Sequence, residues 1–181
     1  KLQYITPIIG VNFKSFMFAY TYSHLTGDVK FDNVSFKYNI GEQVLTNFKL
    51  DVKAGQSIAL VGHTGAGKTT IVNLICRFYE PTSGKILIDG KPIDSVNLFD
   101  LRNSIAIVPQ DAFLFSDSIK NNIKFGKENA TDEEIIAVAK QAAVHDNIVN
   151  FTNQYDTILG ERGITLSGGQ KQRVSIARAL I

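Results

Sequence analysis

Cysteine is nearly missing from this chain. The single Cys76 excludes an internal disulfide and fits a reducing compartment. Histidine is scarce too, and His24, His63 and His145 lie too far apart in sequence to suggest a metal cluster. Charge of one sign does not accumulate. The formal net charge is +2 and the basic residues are interspersed with acidic ones, so no basic block points to nucleic acid or an anionic membrane surface. Long apolar runs are also missing. The stretch Lys1 to Tyr22 is rich in aromatics (Phe13, Phe16, Phe18, Tyr20, Tyr22), but Pro7, Gly10, Asn12 and Lys14 interrupt it. It therefore falls short of the roughly 18 consecutive apolar residues of a membrane span, and it has no small-residue cleavage site of a secretory signal. There are no internal repeats and no low-complexity tracts.

What remains is ordinary globular composition: 181 residues, 44% hydrophobic and 20% charged, enough for one domain with its own core. The chain opens on Lys1 rather than Met and stops at Ile181 within a helical pattern, so it reads as a fragment. Residues 1–26 are expected to be an unassigned segment or linker, and residues 27–181 part of one domain. From Val29 to Tyr38 and from Val44 to Val52, apolar and polar residues alternate as in half-buried antiparallel strands. Ser57-Ile58-Ala59-Leu60-Val61 is continuously apolar after its serine and predicts a strand buried on both faces. Lys68 to Phe78 has helical spacing and should stop at Glu80-Pro81. Short strands are expected at Lys85–Asp89 and Ile105–Val108, the latter closed by Pro109. Thr131 and Glu134 form a capping box that opens a helix, and a last helix starts near Ser167. Strands alternating with helices predict an α/β fold, with an antiparallel edge from residues 29–52.

Gly62-His63-Thr64-Gly65-Ala66-Gly67-Lys68-Thr69 has the spacing G-x-x-x-x-G-K-[ST], lies between an expected strand and an expected helix, and is followed by Thr70. Glycines let the backbone curl so that successive N–H groups point at phosphate oxygens, and the helix start adds the positive end of its dipole. Lys68 is expected between the β- and γ-phosphates, and the Thr69 hydroxyl on Mg²⁺. Chance alone gives the four fixed positions on the order of once per hundred chains of this length. His63 and Thr64 read as ordinary loop positions, and Cys76 as a packed residue of the following helix.

Leu166-Ser167-Gly168-Gly169-Gln170, followed by Lys171-Gln172-Arg173-Val174-Ser175-Ile176-Ala177-Arg178-Ala179-Leu180, resembles the signature motif and helix of the ABC ATPase family. The resemblance runs from about Gly27 to Ile181 with the family landmarks in order. It implies a P-loop NTPase fold of the ABC ATPase type, with an antiparallel β subdomain and a helical signature subdomain. It also implies that Tyr38 stacks on adenine, and that Gln110 is the glutamine beside the γ-phosphate that can touch Mg²⁺. Phe113-Leu114-Phe115-Ser116-Asp117-Ser118-Ile119, Asn122-Ile123 and Gly160-Glu161-Arg162-Gly163 are similar to stretches of exporter-type members. ATP and Mg²⁺ are the expected ligands. Ser167, with the Gly168 and Gly169 amides at a helix start, offers donors to a second phosphate site. The family arrangement is a head-to-tail dimer in which each signature, Gln170 included, caps the ATP on its partner. The implied partners are that second ATP-binding domain and transmembrane domains at the cytoplasmic face of a membrane, with no nucleic acid.

The family's Asp-Glu strand and later histidine would follow Ile181, so no residue of this span is assigned as a catalytic base; Glu161, Asp111 and Asp89 read as loop or surface groups. Without that strand an open apolar edge, lower stability and a tendency to associate are expected. Two other readings compete. DNA-associated ABC ATPases insert long coiled coils between phosphate loop and signature, but residues 70–166 hold no sustained heptads. A non-catalytic nucleotide-binding module is the other.

Overall fold

The computed structural model describes the backbone of residues 20–23 and residues 27–160 and 166–181. The expectations placed on residues 1–19 and on Glu161-Arg162-Gly163 lie outside the described residues. The described residues divide into two compact units, one holding residues 27–96 and the other residues 20–23, 97–160 and 166–181.

After β1 (Tyr20–Ser23), which belongs to the second unit, the sheet of the first unit forms around β2 (Val29–Lys37), which pairs antiparallel with β3 (Gln43–Val52). On its other edge β2 pairs antiparallel with β4 (Ser83–Ile88), which in turn pairs with β5 (Lys91–Pro92), so the order is β3-β2-β4-β5. The antiparallel edge expected of residues 29–52 is therefore present, and β4 extends it. Simple alternation in β2 fails after Asp32. Asn33 takes a left-handed φ of 51°, the register shifts, and Val34, Ser35 and Phe36 are buried in succession. A bulge explains this: one extra residue breaks the period of two. Gly84 makes it possible, because a Cβ there would lie 2.3 Å from the Asn33 carbonyl oxygen. Phe31, Val34, Phe36, Ile86 and Leu74 are buried in this unit.

Helix α1 (Lys68–Ile75) ends earlier than its periodicity predicts. Arg77 adopts φ 51°, its amide bonds the Leu74 carbonyl, and the Phe78 amide reaches back to Asn73. This is the double bond of a Schellman stop, in which a non-glycine sits in the left-handed position. The Arg77 guanidinium compensates by donating to the carbonyls of Ile93 and Val96.

Ser57 to Val61 belongs to no strand, with Ile58 46% and Val61 72% exposed. An apolar run suits a buried strand but does not make one. A ladder needs a neighbour, and no described element pairs with this segment.

In the second unit β1 pairs antiparallel with β6 (Ile105–Val108). Its helices are α2 (Leu98–Asn103), α3 (Ile119–Lys124), α4 (Asp132–Gln141), α5 (His145–Val149) and α6 (Gly168–Leu180). Ile119 and Ile123 of α3, Ile135 and Ala139 of α4, Ile148 of α5, and Val174 and Ala177 of α6 form one buried cluster with Leu114 and Leu159. Polar starts define the helices. Asn97, Ser118, Thr131 and Ser167 each accept a backbone N–H of the first turn, and Thr131–Glu134 is the expected capping box. Among the described residues no helix is long and apolar enough to cross a membrane.

Candidate functional site

The phosphate-loop sequence is a curled loop feeding α1. Gly65 and Gly67 both have φ 85°, and Gly67 is the N-cap residue. Gly67 is also pressed against β3, where a Cβ would meet Leu45 Cδ2 at 3.0 Å. The loop closes on itself through the Ala66 amide, which donates to the His63 carbonyl. Helix α1 starts with no side-chain cap and no acidic residue in its first turn. Its leading N–H groups and positive dipole end are thus left uncompensated, which is the electrostatic requirement of an anion site.

Lys68 is 7% exposed, and its ammonium donates to the Gly62 and His63 carbonyls at 2.7 and 2.8 Å. A buried cation that has only carbonyl oxygens as partners carries uncompensated positive charge. Thr69 is exposed in the same turn and Thr70 is buried. His63 and Thr64 are exposed loop positions, with His63 Nδ1 at 2.8 Å from the Thr64 carbonyl oxygen.

Tyr38 follows β2 and comes to the same turn. Its hydroxyl lies 3.0 Å from Thr70 Oγ1. Phe36 and Tyr79 stand edge-on to its ring, with centroids at 4.9 and 5.1 Å. These rings line an open cavity of about 440 Å³ together with Lys37, Asn39, Glu80 and Thr82. Tyr79 was not among the site residues picked from the sequence, because a Tyr past the end of a helix carries no spacing signal.

The other sequence candidates lie in the second unit. Gln110 is exposed immediately after β6, and the Pro109 carbonyl before it accepts from Gln172 Nε2 of α6 at 3.0 Å. Ser167 and Gln170 cap α6 reciprocally: Ser167 Oγ accepts the Gln170 amide, and Gln170 Oε1 accepts the Ser167 amide. The S-x-x-Q spacing carries that box, which the sequence reading passed over. Gly168 and Gly169 are exposed in the first turn, where helix geometry leaves amides without intrahelical partners.

A polar network in this unit also escaped the sequence. Arg178 of α6 donates to the Asn122 and Phe113 carbonyls and to Asn122 Oδ1, with its guanidinium over the Phe115 and Phe125 rings. Asn122 is 1% exposed, and its amide nitrogen donates in turn to Phe115 and Ser118. Burial lowers the pKa of the Arg178 guanidinium, which nevertheless remains a cation. No group of His, Cys, Asp and Glu suited to a metal occurs among the described residues.

The sequence pattern described as ABC transporter matches residues 45–181. The chain belongs to the ABC transporter family. It is 50% identical over 156 residues to the mitochondrial iron-sulfur clusters transporter ABCB7 of Rattus norvegicus, covering 86% of this chain and 21% of that protein. It is 47% identical over 156 residues to ATP-binding cassette sub-family B member 6 of Xenopus tropicalis, covering 86% of this chain and 18% of that protein. A solved bacterial Atm1-family ABC exporter with ATP bound superposes with a TM-score of 0.82 at 48% identity, over 86% of this chain and 27% of that one. The chain thus spans about a fifth to a quarter of the length of these relatives. Its fold is that of an ABC ATPase domain, and within the family this segment is ATP-binding domain sequence. The uncapped start of α1 and the carbonyl-held Lys68 fit a nucleotide's phosphates.

Proposed function

We propose that this chain is the Mg-ATP-binding part of the ATP-binding domain of an ABC exporter, which couples ATP binding and hydrolysis to movement of a substrate across a membrane; the hydrolytic glutamate is not among its residues. The start of α1 carries the reading: a helix N-terminus without a side-chain cap, a left-handed glycine loop, and a buried Lys68 whose partners among the described residues are two carbonyls. Bound Mg-ATP would supply a phosphoanhydride whose cleavage drives the cycle. The amides of the loop Gly62 to Gly67 other than that of Ala66, with Thr70, would hold the phosphates, and Lys68 would exchange its two carbonyl partners for phosphate oxygens. Thr69 and Gln110 are oxygen donors suited to Mg²⁺. Tyr38 offers a ring face to the base, a contact worth roughly 1–3 kcal/mol for an aromatic under a nucleobase.

Ser167, Gly168, Gly169 and Gln170 then serve the nucleotide held by a second domain in a head-to-tail pair. Support comes from the exposed Gly168 and Gly169 in the first turn of α6, whose amides helix geometry leaves without intrahelical partners, and from the relatives' names. Transmembrane domains complete the machine at the cytoplasmic face of a membrane, and the post-Gln110 stretch that resembles exporter-type members favours export.

A fluorescent Mg-ATP analogue titrated against the chain and against Lys68→Ala tests the reading, with circular dichroism confirming that both are folded. Binding should weaken by on the order of tenfold or more in Lys68→Ala, as expected when a charge-assisted contact is lost. Equal binding by two folded proteins would reject the assignment.

A further inference from the structure

Tyr38 does more in this structure than present a ring. Its hydroxyl lies 3.0 Å from Oγ1 of Thr70, a residue 4% exposed in the first turn of α1. The two residues are 32 positions apart, on the end of β2 and on α1, within the same compact unit. A threonine hydroxyl in a helix ordinarily turns back on the carbonyl four residues earlier, which here is that of Ala66 in the phosphate loop. The Tyr38 hydroxyl gives Thr70 a partner outside its own helix. Tyr38 itself has little freedom, because Phe36 and Tyr79 meet its ring edge-on at 85° and 90°. The hydroxyl is thereby delivered to one place.

We propose that Tyr38 is a positioning residue for the phosphate grip, its hydroxyl holding Thr70 in the rotamer that leaves the N–H groups of the loop and of the first turn of α1 free to donate to phosphate. One side chain then joins the base platform to the phosphate loop. The inference rests on the reading of Gly62 to Thr69 as a nucleotide site. It separates the two halves of the tyrosine: the ring serves the base, and the hydroxyl serves a ligand that has no base.

Inorganic tripolyphosphate with Mg²⁺ is the probe, because it carries phosphates and nothing to stack. Its affinity is measured by calorimetry for the parent chain, Tyr38→Phe, Thr70→Ser, Thr70→Val, the double variant Tyr38→Phe/Thr70→Val, and Lys68→Ala. Tyr38→Phe keeps the ring and should weaken tripolyphosphate by about fivefold, the weight of one neutral hydrogen bond. Thr70→Ser should keep the parental affinity. In the Thr70→Val background, removing the Tyr38 hydroxyl should change nothing, since the partner is already gone. Tripolyphosphate binding by Tyr38→Phe equal to the parent overturns the inference, as does an undiminished Tyr38→Phe effect in the Thr70→Val background. Lys68→Ala distinguishes the two failures. If it loses tripolyphosphate while Tyr38→Phe does not, only the hydroxyl's role falls; if it binds as the parent does, the phosphate site itself is wrong and the inference goes with it.

Discussion

Arg178 and Asn122 show how much a single residue can do when its partners are distant in sequence. Asn122 Oδ1 accepts both the Phe115 amide and an Arg178 N–H, so the carboxamide is held from two elements. Arg178 forks across three acceptors while two phenyl rings cover its plane. Arg178→Ala should therefore cost about 2–4 kcal/mol in urea unfolding, because it strips the bonds and leaves buried acceptors unsatisfied. Arg178→Lys keeps the charge without the planar fork and should recover less than half of that. A loss under about 0.5 kcal/mol for Arg178→Ala, the range of ordinary surface substitutions, would show the network to be ornamental. Gly67 is decided by backbone geometry instead. At φ 85°, with Leu45 Cδ2 3.0 Å from a Cβ, Gly67→Ala should lose about 1–2 kcal/mol and loosen the phosphate loop as well. Chemical denaturation together with Mg-ATP titration reads both effects.

At the scale of the element, the start of α4 gathers several devices into one turn. Thr131 Oγ1 accepts the Glu134 amide, Glu134 Oε2 accepts the Thr131 amide, and Lys127 Nζ lies 2.6 Å from Glu134 Oε1. Thr131→Ala should destabilise the second unit by about 1 kcal/mol in thermal or urea unfolding. The Lys127 ammonium first, and the Thr131 amide second, hold the Glu134 carboxyl below its ordinary value of 4.5. A depressed folded pKa means that the stabilisation is fully present above 4.5 and is lost as pH falls through the lower folded value. Lys127→Met should consequently flatten the acid slope of stability below pH 4.5 by lowering the neutral plateau, while stability at the acid end, where Glu134 is protonated, stays nearly unchanged. Urea midpoints followed from neutral pH into that range check it; an unaltered slope would assign the acid sensitivity to other carboxylates.

For the molecule as a whole, the consequential feature is the segment Ser57–Val61, apolar after its serine, outside any strand and carrying exposed Ile58 and Val61. Exposed apolar runs without ladder partners favour pairing with other chains. The chain of residues 1–181 should show an apparent mass in light scattering that rises with concentration, and Ile58→Lys/Val61→Lys should suppress the rise. A constant monomeric mass in the parent would reject this.

What could be read before any coordinates were local: the phosphate loop, the signature, the Thr131–Glu134 box, and the paired strands of residues 29–52. Each is written in residues a few positions apart, within reach of the side-chain and backbone rules that produce it. Composition could not reveal that α1 stops at Arg77, since an arginine in a left-handed stop is stabilised by carbonyls at Ile93 and Val96. Nor could it reveal the bulge at Asn33, which needs Gly84 beside it, or the absence of a ladder at Ser57–Val61. The ties from Tyr38 to Thr70 and from Arg178 to Asn122 span 32 and 56 positions. Sequence alone determined which residues form the glycine loop and the helix start suited to an anion, because backbone curvature and helix dipole act over a single turn. Only the tertiary structure decided which side chains hold those residues in place, because hydrogen bonds and ring contacts between distant segments exist only once the chain has folded.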